Sequence, residues 1–241
     1  MIVVIPAAGQ GIRLRPLTHT IPKGLIVIEG KTLLERSLDN LSNYGINKAI
    51  IILGHLGEMI KDKLGNNYNG IEITYVENEK YAGTGSMYSL SKAKSLIDDD
   101  IIVVESDLLY ADKAIKILLN SKFKDVLLVS DFLIRGDDVY VCADGKSRIT
   151  NVGKHIPEED KKKAVGALVG ISKYSKEFLS KLFEKADQDY SNGELNYHYE
   201  ETVFATNKLD NPVYIDLCKG LNWIEIDNEN DLKRARQIFP W

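Results

Sequence analysis

The chain has 241 residues, a net charge of −4, and 44% hydrophobic and 27% charged residues, a balance that suits one large globular domain with an extensive core. That charge draws neither nucleic acid nor an anionic membrane to the surface as a whole, so any anionic ligand must be held by local groups. No run of about 18 apolar residues is present to span a bilayer, the short apolar start lacks the flank and cleavage site of a signal peptide, and Cys142 and Cys218 read as buried thiols of a cytoplasmic protein.

Ile2 to Ile5 has the length and β-branched content of a buried parallel strand. It opens into a loop carrying Ala7, Ala8, Gly9 and Gly11. Small side chains let backbone N–H groups approach an anion, and Arg13 and Lys23 add fixed positive charge, so the loop describes a polyphosphate cradle. It is not a Walker A loop, because no Gly-Lys-Ser/Thr follows Gly9 at the required spacing. A dinucleotide fingerprint is excluded by Leu14, which stands at its third glycine. Leu34, Leu38 and Leu41 recur at helical spacing ahead of Gly45. Ala49 to Leu53 predicts a second strand, Glu58 to Leu64 a short helix and Ile71 to Val76 a third strand. This rhythm predicts a parallel sheet with right-handed crossovers and a ligand beyond its carboxyl ends.

From Asn78 to Leu90 the chain again leaves a strand, passes two glycines and enters a helix, where Thr84 or Ser86 either caps the helix or meets a ligand. Ile101 to Val104 predicts a strand ending in Glu105-Ser106-Asp107. A carboxylate there suits a Mg²⁺ ligand or an N-cap for a helix near Lys113. Val126 to Phe132 predicts another strand. After Asp137-Asp138, two alternating runs, Val139 to Ala143 and Arg148 to Val152, flank Asp144-Gly145 and predict a small hairpin lid. The hairpin returns Lys154 towards the site or leaves it on the surface. Pro157 to Lys163 reads as an exposed loop or helix start. Val165 to Ile171 predicts a strand, and Ser175 caps a helix with Phe178, Leu179, Leu182 and Phe183 on its core face. Trp223, Glu225 and Asp227 alternate along one strand face. Together they can line a cleft for a small cation. For Tyr199 and Trp223 the alternative is packing against a final helix bearing Leu232, Ala235 and Phe239. His198 reads as a packed or surface histidine rather than a base.

The run Ala-Ala-Gly-Gln-Gly-Ile-Arg-Leu-Arg-Pro-Leu-Thr, continued by Pro22 and Lys23, resembles the signature of the nucleotidyltransferases that join nucleoside triphosphates to phosphorylated sugars or alcohols. Ile12 stands where that family usually has a small hydroxyl residue. Asn78, Lys80, Tyr81 and Ala82, followed by Tyr88-Ser89-Leu90, narrow the resemblance to the cytidylyltransferases acting on phosphocholine and 2-aminoethylphosphonate. The resemblance implies one Rossmann-like α/β domain over residues 1–241, with a mixed, mostly parallel sheet flanked by helices. Its nucleotide-binding part would cover about 1–110 and its acceptor-binding part about 111–241. Ala7, Ala8, Gly9 and Gly11 would cradle phosphate, Arg13 and Lys23 would hold the β- and γ-phosphates, and Gly85, Ser86 and Ser89 would lie by the base. Asp107 and Asp227 would bind Mg²⁺, with Glu105 as the alternative to Asp107. Lys154 would hold the acceptor phosphate. Tyr199, Glu200 and Glu225 would meet an amine beside Trp223, with Glu201 as the alternative to Glu200. The implied partners are CTP and a small phosphorylated or phosphonylated amine, without nucleic acid or membrane insertion; a homodimer is left open. The rival readings are a sugar 1-phosphate nucleotidyltransferase and a non-catalytic nucleotide-binding protein.

Overall fold

Alternation along the first strand, β1 (Ile2–Ala7), feeds two cores at once: Val3 and Ile5 enter one apolar cluster while Ile2 and Val4 enter another on the opposite face. The structure, a computed structural model, describes residues 1–132, 138–207 and 211–239, so Asp137 lies outside the described residues. β2 (Val27–Ile28) and β3 (Lys31–Thr32) form a short ribbon ahead of α1 (Leu33–Ser42). The Thr32 hydroxyl accepts from the Glu35 backbone N–H, and the Glu35 carboxylate accepts from the Thr32 N–H. This reciprocal capping fixes where α1 begins. Then follow β4 (Lys48–Leu53), α2 (Gly57–Leu64), β5 (Asn67–Tyr68), β6 (Ile71–Glu77), α3 (Ser86–Ser91) and β7 (Ile101–Val104). β7, β1, β4 and β6 lie side by side and parallel. Their carboxyl ends therefore share one edge, where the loops after β1 and β7 become neighbours.

The second half contributes β8 (Leu108–Tyr110), α4 (Lys113–Leu119), β9 (Val126–Ser130), β10 (Tyr140–Ala143), β11 (Ile149–Gly153), α5 (Glu158–Lys161) and β12 (Gly166–Tyr174). It closes with α6 (Lys176–Ser191), α7 (Tyr199–Asn207), β13 (Tyr214–Leu217), β14 (Trp223–Glu225) and α8 (Glu229–Ile238). β12 runs antiparallel to β7 through Ile171 to Tyr174 and to β10 through Gly166 and Ala167, and it also pairs with β9. Among the described residues the result is a mixed ten-stranded sheet. α1 and α4 pack on one face through Leu34, Leu38, Leu41, Ile115 and Leu118, and α3 and α6 on the other through Met87, Leu90, Phe178 and Leu182. The expected hairpin forms as β10 and β11, and β10 joins it to the large sheet through β12.

Candidate active site

A cleft of about 440 Å³ opens at the shared carboxyl edge of the parallel strands. The first loop forms one wall with Ala7, Ala8, Gly9, Gly11 and Arg13. Gly11 has φ +59°, a conformation that favours glycine, and a side chain there would also meet Thr18 at 2.9 Å. The Thr18 hydroxyl donates to the Gly11 carbonyl at 2.7 Å, while His55 Nε2 lies 2.9 Å from the Thr18 carbonyl oxygen. The turn after β4 thus holds the loop after β1.

Lys23 reaches into the cleft from a single 3₁₀ turn. Beside it, a Cβ on Gly24 would lie 2.8 Å from Leu34 and 3.3 Å from the Ser106 carbonyl oxygen, so glycine permits the close approach. Lys23 Nζ sits 2.5 Å from Asp107 Oδ2 and 2.6 Å from Asp227 Oδ1, and Arg13 Nη2 lies 2.7 Å from the same Asp227 oxygen. Burial works against the charged ammonium, but Asp107 and then Asp227 more than offset it, and Lys23 stays above the ordinary lysine range. Burial likewise opposes ionisation of Asp227, yet Lys23 and Arg13 hold its carboxyl below the usual carboxylate range. The two aspartates meet because the Ile226 N–H donates to the Asp107 carbonyl at 2.9 Å. The Asp231 carboxylate then accepts from the Asp227 N–H at 3.0 Å as part of the cap of α8. Asp107 Oδ1 and Asp227 Oδ2 are buried without a hydrogen-bond partner. Two such carboxylate oxygens are the donor type that a hard divalent cation takes, so these residues fit Mg²⁺.

The opposite wall is acidic. Carboxylate oxygens of Glu105, Asp107 and Glu225 lie within 4.8 Å of one another. Burial, followed by the Asp107 and Asp227 charges, pushes Glu225 up to about 8 against the pull of Lys23 and Lys154. Burial and three acidic neighbours raise Glu105 as well, and burial raises Glu200, which is 5% exposed. Tyr199, at the start of α7, donates its hydroxyl to Glu105 Oε1 at 3.0 Å. Lys154, just after β11, lines the same cleft, and its charge acts on Glu200, Glu225 and Asp227.

The third side is the loop into α3. Gly85, Ser86 and Ser89 all line the cleft. Of the two roles open to Thr84 and Ser86, the side-chain cap of α3 does not form, because both hydroxyls are engaged elsewhere. Thr84 Oγ1 accepts from Asn78 and donates to the Lys80 carbonyl, while Ser86 Oγ accepts the Tyr199 N–H at 3.0 Å. Trp223 lines the cleft from one core cluster and Tyr199 from another, whereas Leu232, Ala235 and Phe239 belong to a third. Packing of the two aromatics against the final helix is therefore not what the fold does with them. Ser86 also lies 3.4 Å from His198 Nδ1. Sequence reasoning used Asn78 only as a motif residue and gave it no role; it is 1% exposed, and its amide donates to Thr84 and Ser89 at 3.0 Å each and shapes this wall. The sequence reading missed Gly170, at φ +81° beside Glu105. A lone glycine inside an apolar strand run was the available signal for that irregularity.

The site joins a small-residue loop, three cations and several buried carboxyls, a combination suited to neutralising and aligning a polyphosphate beside a second, cation-bearing molecule. A choline-phosphate cytidylyltransferase of Streptococcus pneumoniae is 29% identical over 243 residues, covering 99% of this chain and 98% of that protein. A CTP:phosphoglutamine cytidylyltransferase of Campylobacter jejuni is 27% identical, with 97% and 98% covered. The solved structure of a CTP:phosphocholine cytidylyltransferase from Streptococcus pneumoniae superposes with a TM-score of 0.76 at 25% identity, covering 98% of each chain. Residues 2–130, which carry the loop, Lys23 and Asp107, match the profile named Nucleotidyl transferase, so the chain belongs to that family and is a nucleotidyltransferase.

Proposed function

We propose that the protein is a cytidylyltransferase that transfers CMP from CTP to a small amine-bearing phosphate or phosphonate, of the phosphocholine or 2-aminoethylphosphonate type, with release of pyrophosphate. The observation that carries this reading is the placement of a phosphate-type loop and a buried acidic wall across one cleft, with Lys23 between Asp107 and Asp227. The names of the relatives give CTP as the nucleotide of one and choline phosphate, a cation-bearing acceptor, as the substrate of the other, which supports this reading.

In this reading the backbone of Ala7, Ala8, Gly9 and Gly11 receives the triphosphate, and Arg13 and Lys23 hold its β- and γ-phosphates. Gly85, Ser86 and Ser89 border the base and ribose. Mg²⁺, held by Asp107 and Asp227, would neutralise charge on the phosphate oxygens. Lys154 orients the acceptor anion, while Tyr199, Glu200, Trp223 and Glu225 receive its amine. An ionised acceptor oxygen forms a bond to the α-phosphorus, and the bond from that phosphorus to its bridging oxygen breaks. The electron pair leaves with pyrophosphate. The attacking oxygen carries no proton at neutral pH, so no general base is required, and His198 has no proton to take. What the chain contributes is in-line alignment and preorganised charge.

No helix among the described residues is long and apolar enough to cross a membrane. The two buried free cysteines, Cys142 and Cys218, suit work in a reducing cytoplasm. The test measures pyrophosphate release with CTP, UTP, ATP and GTP, each against phosphocholine, 2-aminoethylphosphonate and glucose 1-phosphate. Fastest turnover with CTP and an amine acceptor is expected. Preference for glucose 1-phosphate would make the protein a sugar 1-phosphate enzyme, and CTP binding with no turnover on any acceptor would overturn catalysis of this kind.

A further inference from the structure

Glu105 sits at the carboxyl end of β7 and is fixed from three directions. Its backbone N–H donates to the Gly170 carbonyl at 3.0 Å, and its Oε1 accepts from the Tyr199 hydroxyl at 3.0 Å. A Cβ on Gly170 would lie 3.0 Å from Oε2, so β12 leaves room for this carboxyl group. The register of β12 against β9 shifts between Leu168 and Ser172, at this same point. The strand irregularity and the buried tyrosine both position one side chain.

The charges that act on Glu105 are those of Asp107, Glu225 and Glu200, all acidic. The cations of the site are directed elsewhere: Lys23 and Arg13 contact the aspartates, while Lys154 acts on Glu200, Glu225 and Asp227. Independently, Glu200 is 5% exposed and lines the cleft. No other side chain among the described residues hydrogen-bonds or ion-pairs with it. The aromatic rings border the same place but are largely covered. Tyr199 is 1% exposed and its hydroxyl is engaged by Glu105, while Trp223 is 5% exposed and packed in the core. A quaternary ammonium has no N–H and is held by open aromatic faces, whereas a primary ammonium has three donors that seek oxygen acceptors.

Resting on the cytidylyltransferase reading, we propose that Glu105 receives the acceptor's cation together with Glu200 and Glu225, and that this seat selects a primary ammonium over a quaternary one. Glu105 is then a specificity-determining residue that touches the acceptor, and the substrate class is a short primary-amine phosphate or phosphonate.

The test uses CTP with phosphoethanolamine and its mono-, di- and trimethylated forms, the last being phosphocholine. Each methyl removes one donor, so kcat/KM is expected to fall roughly 10-fold per step, the loss of one charge-assisted hydrogen bond. Equal or better use of phosphocholine would overturn the proposal while leaving the cytidylyltransferase reading intact. Turnover with no member of the series, but with glucose 1-phosphate, would instead overturn that reading and the proposal with it. In Glu105→Gln the phosphoethanolamine KM should rise about 10-fold or more at an unchanged CTP KM, and the methylation slope should flatten. A rise in the Mg²⁺ requirement with no change in acceptor KM would make the Glu105, Asp107 and Glu225 group a metal site and refute the assignment.

Discussion

Lys23→Met removes the ammonium between Asp107 and Asp227 while keeping most of the alkyl stem. The ammonium makes two charged contacts, at 2.5 and 2.6 Å, with side chains of which Lys23 is 14%, Asp107 16% and Asp227 1% exposed. Breaking a buried ion pair by deleting one partner costs about 3–5 kcal/mol, because the remaining charge stays buried. Arg13 remains on Asp227 at 2.7 Å, but its own side chain is 54% exposed and only part of the loss is made good. A loss of about 3 kcal/mol follows, which lowers the melting temperature of a chain this size by about 6–12 °C. Thermal unfolding without ligands reads this directly. Adding Mg²⁺ should raise the melting temperature more in the variant than in the wild type, because a divalent cation and the ammonium compete for the same carboxylates. Pyrophosphate release should fall by about 10²-fold or more, the usual effect of losing one preorganised contact to developing charge. Wild-type melting together with near-normal turnover would show that the Lys23 bridge organises neither the resting site nor the reaction.

At Gly85, a Cβ would lie 1.9 Å from the Tyr197 carbonyl oxygen and 2.5 Å from its carbon. Gly85→Ala must therefore separate α3 from the chain entering α7, lower stability by about 3 kcal/mol and raise the CTP KM; an unchanged melting temperature and KM would contradict the close approach. Burial raises Glu200, so the folded chain keeps a proton there after the unfolded chain has released it. Stability conferred by that proton is complete below about pH 4.3 and is lost as pH rises through the raised folded value, so Glu200→Gln should flatten the decline in melting temperature over this window. An identical pH slope in both proteins would place the carboxyl in water.

Period and composition disclosed the parallel half of the fold because each strand carries its own instructions. Ile2 to Ile5, Ala49 to Leu53 and Ile101 to Val104 are apolar on both faces, which only a strand covered by helices on each side requires. Residues whose function depends on backbone position were legible for the same reason. The alternation of Trp223, Glu225 and Asp227 brings all three to one cleft even though the strand ends at Glu225 and Asp227 is held by the cap of the next helix. The hairpin was legible as a turn between alternating runs, but its attachment to the sheet was not. That depends on β12, which lies far along the chain and pairs with β10 through only two residues.

Side-chain partners resisted prediction wherever two distant segments compete for one polar group. Thr84 and Ser86 have the residue types of helix caps, yet Asn78 engages the first and the Tyr199 N–H the second. The gain is the same in kind, one buried donor satisfied, but it ties the loop into α3 to the start of α7. Glu105 follows the same logic. On the sequence it competes with Asp107, two residues away, for a single role as metal ligand. The fold separates them by giving Lys23 to Asp107 and the Tyr199 hydroxyl to Glu105. A carboxylate beside a lysine and a carboxylate beside a tyrosine differ in what they still lack: the first already faces positive charge, while the second lies among acidic neighbours and, in the proposed site, gains from a cation brought in by the substrate. The division of labour between these two carboxyls is therefore set by residues 84 positions upstream of one and 94 positions downstream of the other.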